Sequence, residues 1–325
     1  MVYVGIDIAK LKFDACFDTH HIQKANQKKK FANFANTQEG IEEFCAQLPD
    51  GVFVIFESTG SYSKLLYKTL CQKGIRCCCV NPYRVLQFRR ALGRLIKTDK
   101  TDAETLALYG EKIKPQPTIF MNEANEELRE LVRARQQIMD TIHAYRNRLE
   151  VPCVSEFLNT MYDGLLDHLS VRLKLINQQI NEFLLRHLDH KHKVDRLCTI
   201  VGISTISAVN LLAHCPELGT LSKQQIGIIF GLCPNTKQSG TTYMCEHIYG
   251  GRSEARRTLF MCAQVARKYN SEMGMFCDRL LRKGKPPKVD LTAVMNKLAI
   301  HANAVLKHDV DYEVHTPPPE QQKVA

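Results

Sequence analysis

Residues 2–17 read VYVGIDIAKLKFDACF, and the first third of the chain is read outward from them. Residues 2–8 are an apolar run holding one acid, Asp7, and residues 12–17 alternate apolar with polar as a half-buried strand does. With 8–11 as the turn, the two predict an antiparallel pair. A second apolar run, 52–56, ends at Glu57, and a third, 75–80, is closed by Asn81-Pro82. Helical spacing appears in 37–48 through Ile41, Phe44, Cys45 and Leu48, in 61–73 through Leu65, Leu66, Thr69 and Leu70, and again in 98–108. Strands alternating with helices predict an α/β domain around a mixed sheet. Pro115 and Pro117 interrupt the pattern and mark its end.

The remainder reads as helical. Ala124, Leu128, Leu131, Arg135, Ile138, Ile142, Tyr145 and Leu149 recur at alternating spacings of four and three, a heptad seam with one arginine in it. Leu165, Leu169, Leu173, Ile176, Ile180 and Phe183 form a second stripe, so two long antiparallel helices are expected. Each of about 30 residues would reach about 45 Å; such a pair serves equally as a dimer contact or as a spacer. Further helices are expected at 204–214, 221–230, 254–269 and 291–306, and the TPPPEQQKVA tail is expected to be disordered. The division expected is a catalytic domain at 1–115, a helical coiled-coil arm at 119–192, a small helical domain at 194–310 and a tail at 315–325.

The chain has 325 residues and a formal charge of +10, which favours a polyanionic partner. Thirteen cysteines occur with no CxxC pair; their scatter through apolar runs predicts buried small hydrophobes in a reducing cytosol rather than disulfides or a zinc site. Charges follow Met1 within the first turns, so no leader is expected. No run of about 18 apolar residues is present, so no membrane span is expected. The expected location is the cytoplasm.

Four acids stand out by position: Asp7 and Glu57 at strand ends, and Asp99 and Asp102 in KTDKTDAE. The i, i+3 spacing puts the last two on one helical face, about 4.5 Å apart along the axis. Like charges so placed repel unless a divalent cation joins them, and oxygen donors suit Mg2+ or Mn2+. Two such ions can activate an attacking oxygen and stabilise a leaving one in phosphoryl transfer. Each acid alone also has an ordinary reading: Asp99 as a helix cap, Asp102 as a first-turn acid, Glu57 as a surface charge. Asp14 ranks below the four because it lies on the second strand, and Glu104 need not share their face.

Three segments, DIAKLKFDACF, FESTGSY and IKTDKTDAETLALY, together resemble the N-terminal domain of the IS110-type transposases, a group that includes the Piv-like DNA invertases. The resemblance implies an RNase H-like (RuvC-like) fold and an Asp-Glu-Asp-Asp tetrad binding divalent metal, falling on Asp7, Glu57, Asp99 and Asp102. LCTIVGISTISAVNLLAH, FGLCPNTKQSGTTY and GGRSEARRTLFMCAQVAR resemble the family's second conserved domain. Its GIST segment resembles a helix-hairpin-helix element, and the QSG serine, here Ser239, is implied to be the nucleophile that attacks DNA. From the residues alone, Gln238-Ser239-Gly240 is an ordinary turn signature in a loop marked by Pro234 and Lys237.

Arg84, Arg89, Arg90, Arg94 and Lys97, interleaved with Tyr83 and Phe88, suit structured or single-stranded nucleic acid through charge and stacking, or else a basic face over core aromatics. Lys237, Arg252, Arg256 and Arg257 are candidate phosphate contacts. The resemblance implies donor and target DNA, a structured guide (bridge) RNA, and a dimer or tetramer able to handle four strands. The rival readings are a junction-resolving nuclease that uses the same acids with water and has no need of Ser239, and a non-catalytic nucleic-acid-binding protein. An ATP-dependent metabolic enzyme also begins with such a strand, but no phosphate-binding loop set accompanies it here.

Overall fold

The computed structural model describes residues 2–17, 31–58, 60, 62–93, 98–118, 123–151, 155–235, 238–239, 242–243 and 247–313, with backbone alone at 235, 238–239 and 242–243. The expected tail therefore lies outside the described residues. Two compact units divide the chain, residues 1–120 and 121–325.

The first unit is built on five strands: β1 (Tyr3–Ile8), β2 (Lys12–Phe17), β3 (Phe31–Ala35), β4 (Phe53–Glu57) and β5 (Arg76–Val80). Their order across the sheet is β3-β2-β1-β4-β5. β1, β2 and β3 form an antiparallel meander, while β4 pairs parallel with β1 and β5 parallel with β4. Strand alternation sends Val4, Ile6 and Ile8 to one face, where they meet Phe13, Phe34 and Phe44. Helices α1 (Gln38–Ala46) and α2 (Lys64–Gln72) cover that face through Ile41, Phe44, Leu66 and Leu70. Tyr3, Phe53 and Ile55 point to the other face, covered by α3 (Pro82–Ala91) and α4 (Asp99–Ile113) through Val85, Leu106 and Tyr109. Each large apolar side chain fully buried in these layers contributes about 1.5–3 kcal/mol.

Two elements here differ from the sequence reading. β3 was not expected: only one of its five residues is buried, as befits an edge strand with little hydrophobic signal. α3 was read only as a basic stretch, because it buries Val85 alone; its start is nevertheless set by Asn81, whose side chain accepts from the Tyr83 amide, and by Pro82 in the first turn.

α4 lies directly on β1. A Cβ placed on Gly5 would come within 2.0 Å of the Ala103 carbonyl oxygen and 2.3 Å of the Ala107 nitrogen, so no larger residue fits. At its far end Gly110 meets Tyr3 and Ile55. α4 thus runs antiparallel to β1, with its first turn over the end of the strand that carries Asp7.

In the second unit, α5 (Glu123–Leu149) and α6 (Glu156–Arg186) form the expected antiparallel pair. Leu128 and Val132 share a core with Ile180 and Phe183, while Tyr145 meets Tyr162 at 5.6 Å between ring centroids. The seam arginine, Arg135, donates from Nε to Asn177 Oδ1 at 2.8 Å. The same core continues through α7 (Leu188–Cys198), α8 (Thr205–His214), α9 (Lys223–Ile229), α10 (Ser253–Tyr269), α11 (Ser271–Arg282) and α12 (Pro287–His308). α7 and α11 were not foreseen. Among the described residues no helix is long and apolar enough to cross a membrane. All eleven described cysteines are free, and six of them are buried.

Candidate functional sites

The first site is assembled by register. Asp7 faces Asp14 across the β1–β2 pair. One step beyond the Ile6–Phe56 pairing, Glu57 lies beside Asp7 on the neighbouring parallel strand, about 4.8 Å away by strand spacing. Alternation puts Asp7 on the Gly5 side and Glu57 on the Ile55 side, both under α4. Three carboxylates thus cross the sheet in a row, and the first turn of α4 brings two more toward the same edge.

α4 begins with a capping box: Thr98 Oγ1 accepts from the Thr101 amide at 3.2 Å, and the Thr98 amide donates to Thr101 Oγ1 at 2.9 Å. Asp99 is therefore the first helical residue and not the cap. Both Asp99 and Asp102 lie in the first turn, where the helix dipole favours negative charge. Asn36 fixes the loops at this edge, its Nδ2 donating to the carbonyls of Ala9 at 3.1 Å and Tyr62 at 3.0 Å.

Cations attend the acids. Arg89 Nη1 donates to Asp102 Oδ1 at 3.0 Å, with both side chains mostly buried. Lys12 Nζ lies 3.6 Å from Asp14 and 3.7 Å from Asp99. The donor set is all carboxylate oxygen and suits a hard divalent cation, yet among the described residues no three such side chains converge closely enough to hold a metal ion. Asp14 was ranked low from the sequence. Its direct pairing with Asp7 was legible in the alternation on either side of the 9–11 turn.

The second site is a short ribbon in the second unit. β6 (Pro234–Asn235) pairs antiparallel with β9 (His247–Ile248), and β7 (Gln238–Ser239) with β8 (Thr242–Tyr243), placing Ser239 opposite Thr242. The sequence suggested a loop here; two-residue strands carry no periodicity to read. At the foot of the ribbon two glycines cross. Gly231 and Gly251 have φ of +63° and +66°, and a Cβ on either would come within 2.2 Å of the other strand's backbone. The Arg252 amide then donates to the Ile229 carbonyl at 2.7 Å.

The candidate basic residues are dispersed. Arg84 and Arg90 are exposed on α3, Arg89 is held by Asp102, and Arg94, Lys97 and Lys237 lie outside the described residues. Arg252 grips Glu217 with both terminal nitrogens, at 2.8 and 2.5 Å, and the His214 carbonyl at 2.9 Å. Burial alone would raise the Glu217 carboxyl, but the bonds from Arg252 outweigh it and hold it below its ordinary value. Burial, with Arg129, Arg133 and Arg252 nearby, pushes His214 down to about 4. Arg256 bonds the Gly250 carbonyl, while Arg257 bonds Asp140 at 3.1 Å, so these adjacent residues diverge.

Comparison with known proteins gives both halves the same assignment. The DEDD-type transposase family of the IS110 group matches residues 4–152, and the Transposase IS116/IS110/IS902 family matches residues 194–277. The chain belongs to the IS110 family of transposases. It is 27% identical over 322 residues to the pilin gene-inverting protein of Moraxella bovis, covering 96% of this chain and 97% of that one. The corresponding protein of Moraxella lacunata matches equally. A putative transposase of Sinorhizobium fredii is 24% identical, over 82% of this chain and 72% of its own. Membership makes the chain a DNA recombinase or transposase with DNA as its substrate. The DEDD-type domain implies an RNase H-like fold, in keeping with the β3-β2-β1-β4-β5 sheet, and a general dependence on divalent metal.

Proposed function

We propose that this IS110-family enzyme cuts and rejoins DNA through a phosphoserine link at Ser239, assisted by Asp7, Glu57, Asp99 and Asp102. The observation that carries the reading is the row of carboxylates under the first turn of α4, formed by strand register and the Gly5 contact. These four acids would hold Mg2+ or Mn2+, which supplies Lewis-acid stabilisation to a phosphoryl group in transfer. Ser239 Oγ gives up its proton and attacks a DNA phosphorus, forming a P–O bond; the P–O bond to a DNA sugar oxygen breaks, and that oxygen takes up a proton and leaves as a hydroxyl. In the reverse sense, the hydroxyl of an exchanged strand attacks the phosphoserine and Ser239 regains its proton. One phosphoester replaces another at each step, so strands rejoin without an external energy source. Lys12 lies against Asp99 and Arg89 against Asp102, and on this reading both would give way to a bound cation.

On this reading residues 1–115 are the catalytic domain, 119–192 an arm, and 194–310 the serine-bearing domain with a helix-hairpin-helix element at Gly202–Thr205. Arg84, Arg89, Arg90, Arg94, Lys97, Lys237, Arg252, Arg256 and Arg257 are assigned to the nucleic-acid contact, Arg252 by shaping the ribbon foot. A structured guide RNA selects the sites, a dimer or tetramer acts on the four strands, and the reaction takes place in the cytoplasm. The test is recombination between plasmids carrying the native element ends, with Mg2+ or chelator and with or without the flanking transcript. Recombination that needs both supports the reading. Recombination without transcript removes the guide, and cleavage that survives Ser239→Ala replaces the serine with water.

A further inference from the structure

The second unit contains a groove that the proposed chemistry leaves unused. It lies between α10, the first half of α12 and the foot of the ribbon at Pro234 and Ile248, with a volume of about 1210 Å3. Pockets for single small ligands reach about 1,000 Å3, so this one accommodates a short piece of polymer. Leu232 and Met295, both buried, give it an apolar floor. Phe260 lines it from α10 and is 41% exposed, a large aromatic surface for a solvent-facing helix position.

Its charge is one-sided. Arg256, Arg257, Arg267 and Lys288 line it, against Glu254 as the one carboxylate among the described lining residues. Arg267 is engaged by Asp290 at 3.6 Å. The Arg257–Asp140 pair is about half exposed on both sides, a setting in which an ion pair contributes little and gives way to a phosphate. Asn296 supplies a separate observation: it lines the groove, and its Oδ1 is buried without a hydrogen-bond partner among the described residues. An acceptor so placed costs about 1–3 kcal/mol and would be satisfied by a ligand N–H.

An exposed ring, a cationic wall and an orphan acceptor in one groove match the needs of an unpaired nucleotide. Its base stacks, its phosphate meets the cations, and its amino or imino group donates. A duplex offers the phosphates but keeps its base faces and pairing edges occupied. We propose that this groove holds one or two unpaired nucleotides of a nucleic-acid strand beside the foot of the Ser239 ribbon, with Phe260 stacking on a base and Arg257 and Lys288 on phosphates. The proposal rests on the DNA-recombinase reading only in taking nucleic acid as the partner.

The experiment titrates the full chain with short single-stranded oligonucleotides containing 2-aminopurine, as DNA and as RNA, and with the matching duplex. Quenching on the single strand is expected. Phe260→Leu should remove it and weaken single-strand binding about fivefold or more, Phe260→Tyr should keep it, and duplex affinity should be unchanged. Lys288→Gln should weaken binding and lower the salt slope by about one. A stronger response to DNA assigns the strand to substrate, and a stronger response to RNA assigns it to a guide; both uphold the groove. Duplex binding without a single-strand signal, or single-strand affinity unmoved by Phe260→Leu and Lys288→Gln, overturns the groove and leaves the recombinase reading standing. Oligomer dissociation in Phe260→Leu with unchanged strand binding would assign the groove to a second copy of the chain and overturn the proposal. No binding to any nucleic acid would overturn both.

Discussion

Asp7 and Glu57 end strands that are packed on both faces by helices, whereas Ser239 sits on a two-residue strand of a ribbon anchored at its foot by crossing glycines. The acids are placed by a hydrophobic core, and the serine by backbone contacts. The difference suits the two tasks proposed. Carboxylates that share a cation must keep their spacing against mutual repulsion, which a close-packed core enforces. The nucleophile proposed to attack one strand and later release it to another would gain from a short element that can open locally.

The largest effect expected is chemical. Asp7→Asn should lower recombination about a thousandfold, the loss of several kcal/mol of transition-state stabilisation, with an unchanged melting profile in calorimetry. An active Asp7→Asn protein would break the comparison, because the sheet edge would then be scaffold alone.

Stability should separate the two regions next. Gly5→Ala drives a Cβ into the α4 backbone and should cost about 3 kcal/mol or more, lowering the transition of the first unit. Gly251→Ala combines a clash with a positive φ and should cost about 2–3 kcal/mol, lowering the second. Calorimetry that resolves two transitions checks whether each substitution moves its own.

A smaller effect concerns the cations at the acidic edge. Arg89→Gln removes the guanidinium from Asp102 and should tighten Mn2+ binding several-fold by titration calorimetry, at a stability cost of about 3 kcal/mol because the pair is mostly buried. Weaker binding in that variant would mean that Arg89 organises Asp102 instead of competing for it.

The smallest effect is a pH dependence in the second unit. His214 is lowered to about 4 in the folded chain and returns to about 6.5 on unfolding. The unfolded state then binds the extra proton first, so stability is full above pH 6.5 and falls as pH drops toward 4. His214→Gln should flatten denaturation midpoints over that window.

The sequence made the acidic edge far more legible than the ribbon. β1, β4 and β5 are apolar runs bounded by an acid or by Asn-Pro, and helical spacing begins at residue 98, so Asp7, Glu57, Asp99 and Asp102 fall near element ends in the sequence itself. Asp14 ranks below the four in the sequence; its place beside Asp7 comes from cross-strand register. Ser239 could be selected only by resemblance: four two-residue strands are too short to leave a pattern. The Gly231–Gly251 crossing and the groove at Phe260 join residues distant in sequence, and nothing local announces either. The grip of Arg252 on Glu217 spans 35 residues and leaves no local signal either.

The most direct test of the joint action proposed for edge and ribbon is covalent trapping on labelled donor and target DNA, with Mg2+ and the flanking transcript present. The account predicts a protein–DNA adduct that maps to Ser239 and disappears in both Ser239→Ala and Asp102→Ala. Cleavage without an adduct, kept by Ser239→Ala and lost in Asp102→Ala, would contradict it and leave the acids as a hydrolytic nuclease.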